Sequence, residues 1–150
     1  MNYDMLRTEQ KEIVDKFKEM EDPLFGRKVY WFWEGKGSWG KSLTCMYMID
    51  HMKAFVVAGK NNDILCGITK HIEEQGECPP IVIFDIPRCN CGHTSYQAIE
   101  NLKNGYFYSG KYESGMCRFN RPHIICFSNE KPEDHNLSSD RWIIEELIHK

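Results

Sequence analysis

The chain has 150 residues, of which 41% are apolar and 27% are charged, and its formal net charge at pH 7 is −3. This length is enough for one domain with a hydrophobic core, and the charge excludes a protein that binds nucleic acid over a uniformly basic surface. The apolar runs are short compared with the ~20 residues that span a membrane, so we predict no membrane partner. Seven cysteines behind a charged amino-terminal stretch predict reduced thiols in an intracellular compartment.

The hydrophobic pattern predicts helices that alternate with short buried strands. Apolar residues at helical spacing indicate helices at residues 3–20, 43–52, 63–74, 96–102 and 140–148. Continuous apolar runs indicate strands at residues 29–33, 54–57, 81–85 and 123–128, and two β-prone runs indicate a hairpin at residues 106–119. This alternation predicts an α/β fold with a mostly parallel central sheet, helices on both faces and a β-hairpin insertion.

The most informative motif joins the first predicted strand to the helix that follows it. Its residues match the pattern G-x-x-x-x-G-K-[ST] at Gly35, Gly40, Lys41 and Ser42. Glycines let backbone N–H groups approach a phosphate chain, the lysine supplies a positive charge, and the serine hydroxyl binds Mg²⁺. Strand, loop and helix in this order also direct a helix N-terminus at the anion. The predicted nucleotide contacts are Gly35, Lys36, Gly37, Ser38, Trp39, Gly40, Lys41 and Ser42.

Two polar residues end predicted strands, where parallel sheets bind ligands. Asp85 is the natural second Mg²⁺ ligand beside Ser42, although an acid there could instead end the strand and cap the next turn. Asn129 could reach an attacking water or the γ-phosphate, or simply form a turn. Ile86 follows Asp85, so a second, water-activating acid is missing from its usual place.

Arg141 and a cysteine-rich loop are weaker signals. Arg141 opens the last predicted helix, and it either stabilises charge at a phosphate site, in trans if a neighbouring subunit supplies it, or pairs with an acid on the surface. Cys89-Asn-Cys-Gly-His93 has the ligand types of a zinc site but lacks the second well-spaced pair of a zinc finger. We therefore interpret these cysteines as ordinary reduced thiols.

The predicted hairpin interleaves basic and aromatic residues. Such a surface can follow a phosphate backbone and stack on bases. Alternatively, the aromatic residues pack in the core and the lysines are solvated. The residues concerned are Lys103, Tyr106, Phe107, Tyr108, Lys111, Tyr112, Arg118 and Arg121.

The order of these motifs resembles the superfamily 3 helicase domain of the replication-initiator (Rep) proteins of circular single-stranded DNA viruses and related satellites. The ordered set spans roughly residues 27–143, and it is more specific than the phosphate-binding pattern alone. The matching segments are residues 35–42 as Walker A, 81–88 as Walker B, 106–115 as the B-prime hairpin, 124–129 as motif C and 137–143 as the arginine-finger segment.

The resemblance implies an ATPase of AAA+ type, with residues 1–26 as an amino-terminal helix and linker and residues 27–150 as the ATPase domain. It implies a hexameric ring that hydrolyses ATP with Mg²⁺ at subunit interfaces and moves 3′ to 5′ on single-stranded DNA in the host nucleus. The implied catalytic residues are Lys41, Asp85, Asn129 and Arg141, with Arg141 given to a neighbour. The implied DNA contacts are Lys111, Tyr112 and Lys103.

The sequence departs from this family in two ways. Asp85 has no acidic neighbour, so the general base is not identified. The His-hydrophobe-His motif of the family's nicking endonuclease does not occur, so we expect the domain to have been excised from a longer Rep protein. Two other functions remain: a nucleotide-dependent assembly module with little unwinding activity, and a small-molecule P-loop kinase. The kinase is disfavoured because a hairpin and an Asn-ended strand occupy the region of its lid.

Overall fold

The structure is a computed structural model, and it describes residues 2–20, 28–86, 96–109, 115–132 and 141–148. Its strands are β1 (Val29–Trp33), β2 (Ala54–Val57), β3 (Ile81–Ile86), β4 (Tyr106–Ser109), β5 (Gly115–Arg118), β6 (His123–Ser128) and β7 (Trp142–Glu146). Its helices are α1 (Thr8–Glu19), α2 (Lys41–Met52), α3 (Asn61–Gln75) and α4 (Tyr96–Asn104). Five strands form one parallel sheet in the order β2-β3-β6-β1-β7, and β4 and β5 form a separate antiparallel hairpin.

The central strands are mostly apolar, as expected for a sheet that is covered on both faces. On one face, Val14 and Phe17 of α1 and Met48 of α2 pack with Phe32 and Phe127. On the other face, α3, α4 and the hairpin pack on the sheet. The residues of this second core include Ile68, Ile99, Leu102, Phe107, Trp31, Val82 and Ile124. The prediction of an α/β fold with a mostly parallel sheet between helices is therefore confirmed.

The prediction of a carboxyl-terminal helix at residues 140–148 was wrong, because Trp142–Glu146 form the parallel edge strand β7. Trp142 pairs with Val29, and the register continues to Glu146 opposite Trp33. The run Trp-Ile-Ile is β-prone, and an open edge of β1 accepts it, so tertiary pairing decides its structure. Arg141 consequently precedes a strand and does not open a helix.

The predicted amino-terminal helix is shorter than expected. Tyr3–Met5 form a 3₁₀ turn, and α1 starts only at Thr8. The side chain of Gln10 accepts the Arg7 backbone N–H at 2.7 Å, which caps the first turn of α1. Among the helices of the described segments, none has the length and apolar character needed to cross a bilayer.

The strand order places a topological switch point at β1. The strands β6, β3 and β2 lie on one side of β1, and β7 lies on the other side. The strand order therefore reverses direction at β1. In open α/β sheets such a reversal marks the ligand-binding position, outside the carboxyl ends of the strands. Trp33 at the end of β1 pairs with Ser128 at the end of β6, so Glu34 and Asn129 leave the sheet side by side.

Candidate nucleotide-binding site

The segment between β1 and α2 is a loop with three left-handed residues. The φ angles are 82° at Gly37, 65° at Ser38 and 95° at Gly40. Glycine adopts such angles without strain, which explains two of the three residue types. Gly40 is also the residue that caps α2, and it offers no side chain to the first N–H groups of this 12-residue helix. Backbone donors at the helix N-terminus are therefore available for an anion.

Lys41 lies at the centre of a polar cluster inside this loop. Its Nζ is 3.1 Å from Oε1 of Glu34 and 3.4 Å from Oδ1 of Asn129. The backbone N–H of Gly37 also donates to Glu34 Oε1, at 2.8 Å. The Glu34 side chain is only 3% exposed, so this ion pair is shielded from water. The structure thus brings two predicted site residues, Lys41 and Asn129, into direct contact, and it pairs Lys41 with an acid, Glu34, that the sequence reasoning did not single out.

Asp85 and Ser42 are both exposed at the same end of the molecule as Lys41. Burial raises the pKa of the Cys45 thiol to about 12, the Asp85 carboxylate adds to the rise, and the Lys41 ammonium opposes it. Asp85 pairs with Phe127 of β6, and Phe127 pairs with Phe32 of β1, so the end of β3 lies at the same end of the sheet as the loop that leads into α2.

A magnesium ion is implied by the loop motif, and the side chains present fit its requirements. Within the described segments, no cluster of three or more His, Cys, Asp and Glu side chains could hold a metal by itself. Mg²⁺ at a phosphate chain instead takes one or two protein ligands and completes its shell with waters and phosphate oxygens. The exposed oxygens of Ser42 and Asp85 match that donor set.

Arg141 lies at the amino-terminal ends of the strands, whereas the loop lies at their carboxyl ends. Its carbonyl oxygen accepts the N–H of Val29, the first residue of β1, at 2.8 Å. The loop follows the last residue of β1, and five residues of a strand extend roughly 16 Å. Arg141 is therefore far from the Lys41 cluster of its own chain.

Of the three predicted DNA contacts, the structure describes only Lys103. Lys111 and Tyr112 lie outside the described residues, as do Cys89, Cys91 and His93 of the cysteine-rich loop. Lys103 is only 3% exposed, and its Nζ lies 3.3 Å from Glu100 Oε1 and above the Trp142 ring. A side chain held in this way is not offered to solvent, so we withdraw Lys103 as a DNA contact.

The hairpin is divided between the core and the solvent. Phe107 of β4 is buried, whereas Tyr106 and Tyr108 are 52% and 72% exposed. Met116 pairs with Tyr108 and is 71% exposed, and Arg118 pairs with Tyr106 and is also exposed. We call Tyr106, Tyr108, Met116 and Arg118 the outer hairpin face. Packing of aromatic residues in the core thus holds for Phe107 but not for Tyr106 and Tyr108, and DNA binding by the exposed residues stays a prediction.

Sequence reasoning missed three residues that contact the loop. Glu34 had a usable signal, since an acid directly after an apolar strand and before Gly35 must face the loop. Arg7 and Gln10 had none, because they contact carbonyl groups about 30 residues away along the chain. The Trp39 side chain is buried, and its Nε1 donates to the Ile148 carbonyl at 3.3 Å. Trp39 can therefore face a nucleotide with its backbone but not with its indole.

Curated proteins with related sequences carry names that refer to replication. Para-Rep C1 of Faba bean necrotic yellows C11 alphasatellite is 33% identical over 119 residues, which cover 79% of this chain and 40% of that protein. Para-Rep C2 of Milk vetch dwarf C2 alphasatellite is 32% identical over 140 residues, which cover 93% of this chain and 46% of that protein. The master replication protein of Milk vetch dwarf virus (isolate N) is 28% identical over 143 residues, which cover 95% and 46%.

The chain spans less than half the length of these curated relatives. A comparison with protein-family models finds no match. The sequence similarities, which extend over most of this chain, support a relationship with a viral Rep family.

Proposed function

We propose that this chain is the ATP-hydrolysing helicase module of a viral replication initiator, a superfamily 3 ATPase of AAA+ type. The observation that carries the proposal is the cluster at the switch point of the sheet. There, Lys41 Nζ lies within 3.4 Å of Asn129 Oδ1 beside the N-terminus of α2. A nucleoside triphosphate is bound by a cation, an amide and helix N–H groups, and this site offers all three at the carboxyl ends of the strands.

Each polar residue has a defined place in this scheme. The loop amides and Lys41 would bind the phosphates, and Ser42 and Asp85 would hold Mg²⁺, which neutralises charge on the phosphates during hydrolysis. Asn129 would orient the attacking water or sense the γ-phosphate. Arg141 lies too far from its own loop, so its catalytic role requires a neighbouring protomer, as in a ring of identical chains.

The outer hairpin face supports single-stranded DNA as the partner. Exposed tyrosines stack on bases without sequence preference, and an arginine adds a phosphate or cation–π contact. The names of the relatives refer to replication, which is consistent with a DNA substrate. By the same reasoning, the proposed place of action is the host nucleus and the proposed assembly is a hexamer.

Loss of the lysine tests the proposed function. Lys41→Ala should lower ATP turnover by about 100-fold, because a charge aimed at the transferred phosphoryl group is removed. Lys70→Ala, an exposed lysine of α3, is the matched control and should hydrolyse ATP as the wild type does. Turnover is measured as phosphate release with and without single-stranded DNA.

The same assay separates the proposed helicase from an assembly module. Stimulation by single-stranded DNA supports the helicase. The missing second acid beside Asp85 favours the alternative, in which nucleotide binding orders a ring with little turnover. Ring formation with an ATP analogue but without DNA-stimulated hydrolysis would establish that alternative. A Lys41→Ala protein that still hydrolysed ATP at the wild-type rate would refute the proposed ATPase site.

A further inference from the structure

Three consecutive carbonyl groups of the loop face the first turn of α1. The Arg7 guanidinium donates to the carbonyl of Trp39 and, at 3.4 Å, to that of Ser38. The Gln10 Nε2 donates to the carbonyl of Gly40 at 3.0 Å and to that of Trp39 at 3.5 Å. Two side chains of one helix thus hold the outer side of the phosphate-binding loop.

Gln10 is unusually constrained for a polar side chain. It is 1% exposed, and both ends of its amide are used, because Oε1 accepts the Arg7 backbone N–H while Nε2 contacts the loop. A Cβ atom at Gly40 would clash with Gln10 Nε2 and lie 3.1 Å from an Arg7 nitrogen. The ends of the Gln10 and Arg7 side chains therefore occupy the space that a side chain at position 40 would take, and the φ of 95° also favours glycine there.

The orientation of the carbonyls fixes the orientation of the amides. In a trans peptide the N–H of the next residue points away from the preceding C=O. Carbonyls of Ser38, Trp39 and Gly40 that face α1 leave the N–H groups of Trp39, Gly40 and Lys41 directed away from α1. Loop amides that are aligned before an anion arrives bind it without a cost of reorganisation.

We propose that Gln10 and Arg7 are positioning residues of the nucleotide site, acting on the loop backbone from the side opposite to the phosphates. This inference rests on the proposed function. It makes α1 a part of the ATP site, although sequence reasoning assigned residues 1–26 to a helix and linker in front of the ATPase domain.

The variant Gln10→Glu separates positioning from helix capping. A glutamate retains the oxygen that accepts the Arg7 N–H, and glutamate is a favourable residue at this helix position. It replaces the donor to Gly40 with an oxygen that repels the carbonyl. If Gln10 only caps α1, Gln10→Glu should bind Mg-ADP as the wild type does. If Gln10 positions the loop, the Kd for Mg-ADP should rise about tenfold or more.

A second variant guards against loss of folding. The Arg7 side chain is 47% exposed, so Arg7→Met should fold and should raise the Kd for Mg-ADP several-fold. Glu19→Gln, at the exposed end of α1, is the control and should leave the Kd unchanged. Titration calorimetry gives the Kd, and urea unfolding of each variant shows whether the folded fraction is intact.

The outcomes for the positioning role and for the proposed function are distinct. Wild-type affinity in both Gln10→Glu and Arg7→Met, with weakened binding in Lys41→Ala, would overturn the positioning role and leave the ATP site standing. Lower stability with an unchanged Kd for the folded protein would also overturn it. Normal Mg-ADP binding by Lys41→Ala would instead count against the proposed function.

Discussion

Glu34 places a negative charge inside a loop that is proposed to bind phosphates. Its carboxylate accepts the Gly37 N–H and pairs with Lys41, so a phosphate must compete with it for both groups. A buried ion pair of this kind persists because the removal of water from each charge is compensated by its partner. Glu34 therefore neutralises the Lys41 ammonium before a nucleotide binds, and we expect this acid to lower the affinity that Lys41 could otherwise provide.

Removing this charge should strengthen nucleotide binding. Gln in place of Glu34 keeps an oxygen for the Gly37 N–H but no longer neutralises Lys41, so Glu34→Gln should lower the Kd for Mg-ADP about tenfold. Titration calorimetry provides the measurement, and Glu74→Gln, an exposed acid of α3, is the control for net charge. Weaker binding by Glu34→Gln would show that the acid supports the nucleotide and does not compete with it.

Buried thiols make the free energy of unfolding fall as the pH rises into the alkaline range. Burial raises the pKa of Cys45 and Cys78 to about 12 from the ordinary 9.0, and it raises the pKa of Cys126 as well. The unfolded chain releases these protons above pH 9, whereas the folded protein retains them. Their contribution to stability is thus complete below pH 9 and is lost as the pH rises towards 12.

The free energy of unfolding should fall by about 1.4 kcal/mol per pH unit for each such thiol above pH 9. Urea unfolding from about pH 8 to about pH 11 measures this slope. Cys45→Ala should show a shallower slope than the wild type, because one of the thiols is absent. Equal slopes in the two proteins would mean that the Cys45 thiol already ionises in the folded state.

At the scale of elements, the hairpin divides its side chains between two tasks. Phe107 and Phe119 anchor it to α4 and the sheet, with ring centroids 5.6 Å apart. Tyr106 and Tyr108 stand on the other face of β4 and are exposed. Because alternate residues of a strand point to opposite faces, the outer residues can change without disturbing the anchor.

Truncation of an outer tyrosine should therefore weaken DNA binding without unfolding the protein. Loss of one stacking contact costs about 1–3 kcal/mol, so Tyr108→Ala should raise the Kd for single-stranded DNA about 5- to 150-fold while basal ATP turnover is kept. Fluorescence anisotropy with a labelled oligonucleotide gives the Kd. Met46→Ala, an exposed apolar residue of α2, is the control. An unchanged DNA affinity in Tyr108→Ala would exclude the outer hairpin face as the DNA contact.

Elements with strong local signals were predictable from sequence, and those defined by distant partners were not. The run Ile-Val-Ile-Phe-Asp specifies the strand β3, and the Gly-Lys-Ser motif specifies the loop before α2, with no knowledge of neighbours. The segment at Trp142 fits a helix or a strand by pattern, and the open edge of β1 decides. The contacts of Gln10 join residues that only folding brings together, so no local pattern could reveal them.

For the whole molecule, the distance between Arg141 and Lys41 means that Arg141 can take its proposed catalytic role only at the site of a neighbouring protomer. The loop lies at the carboxyl ends of the strands, and Arg141 lies at their amino ends. A head-to-tail ring would bring the Arg141 edge of one protomer to the loop of the next, and such heterologous contacts close into rings. A monomer should consequently bind nucleotide but hydrolyse it poorly.

Mixing two inactive variants tests this arrangement. Lys41→Ala and Arg141→Ala should each hydrolyse ATP poorly as pure proteins. In an equal mixture, about a quarter of the interfaces would combine an intact Lys41 with an intact Arg141, so activity should recover in that proportion. Phosphate release from the mixture, compared with the sum of the separate proteins, is the measurement. Failure to recover activity, although mixed rings form, would exclude an Arg141 that acts in trans.

Trp39 occupies a variable place in the phosphate-binding pattern, yet its indole is packed in the core beneath the loop. Replacing a buried aromatic residue with alanine costs about 3–5 kcal/mol, which is a large part of the 5–15 kcal/mol that stabilises a typical domain. A mutational screen scored by lost activity would therefore group Trp39 with the residues proposed to contact the nucleotide. The defect of a Trp39 variant would nevertheless lie in folding. Cooling the assay would distinguish the two classes, because a destabilised variant regains activity at low temperature and a ligand variant does not.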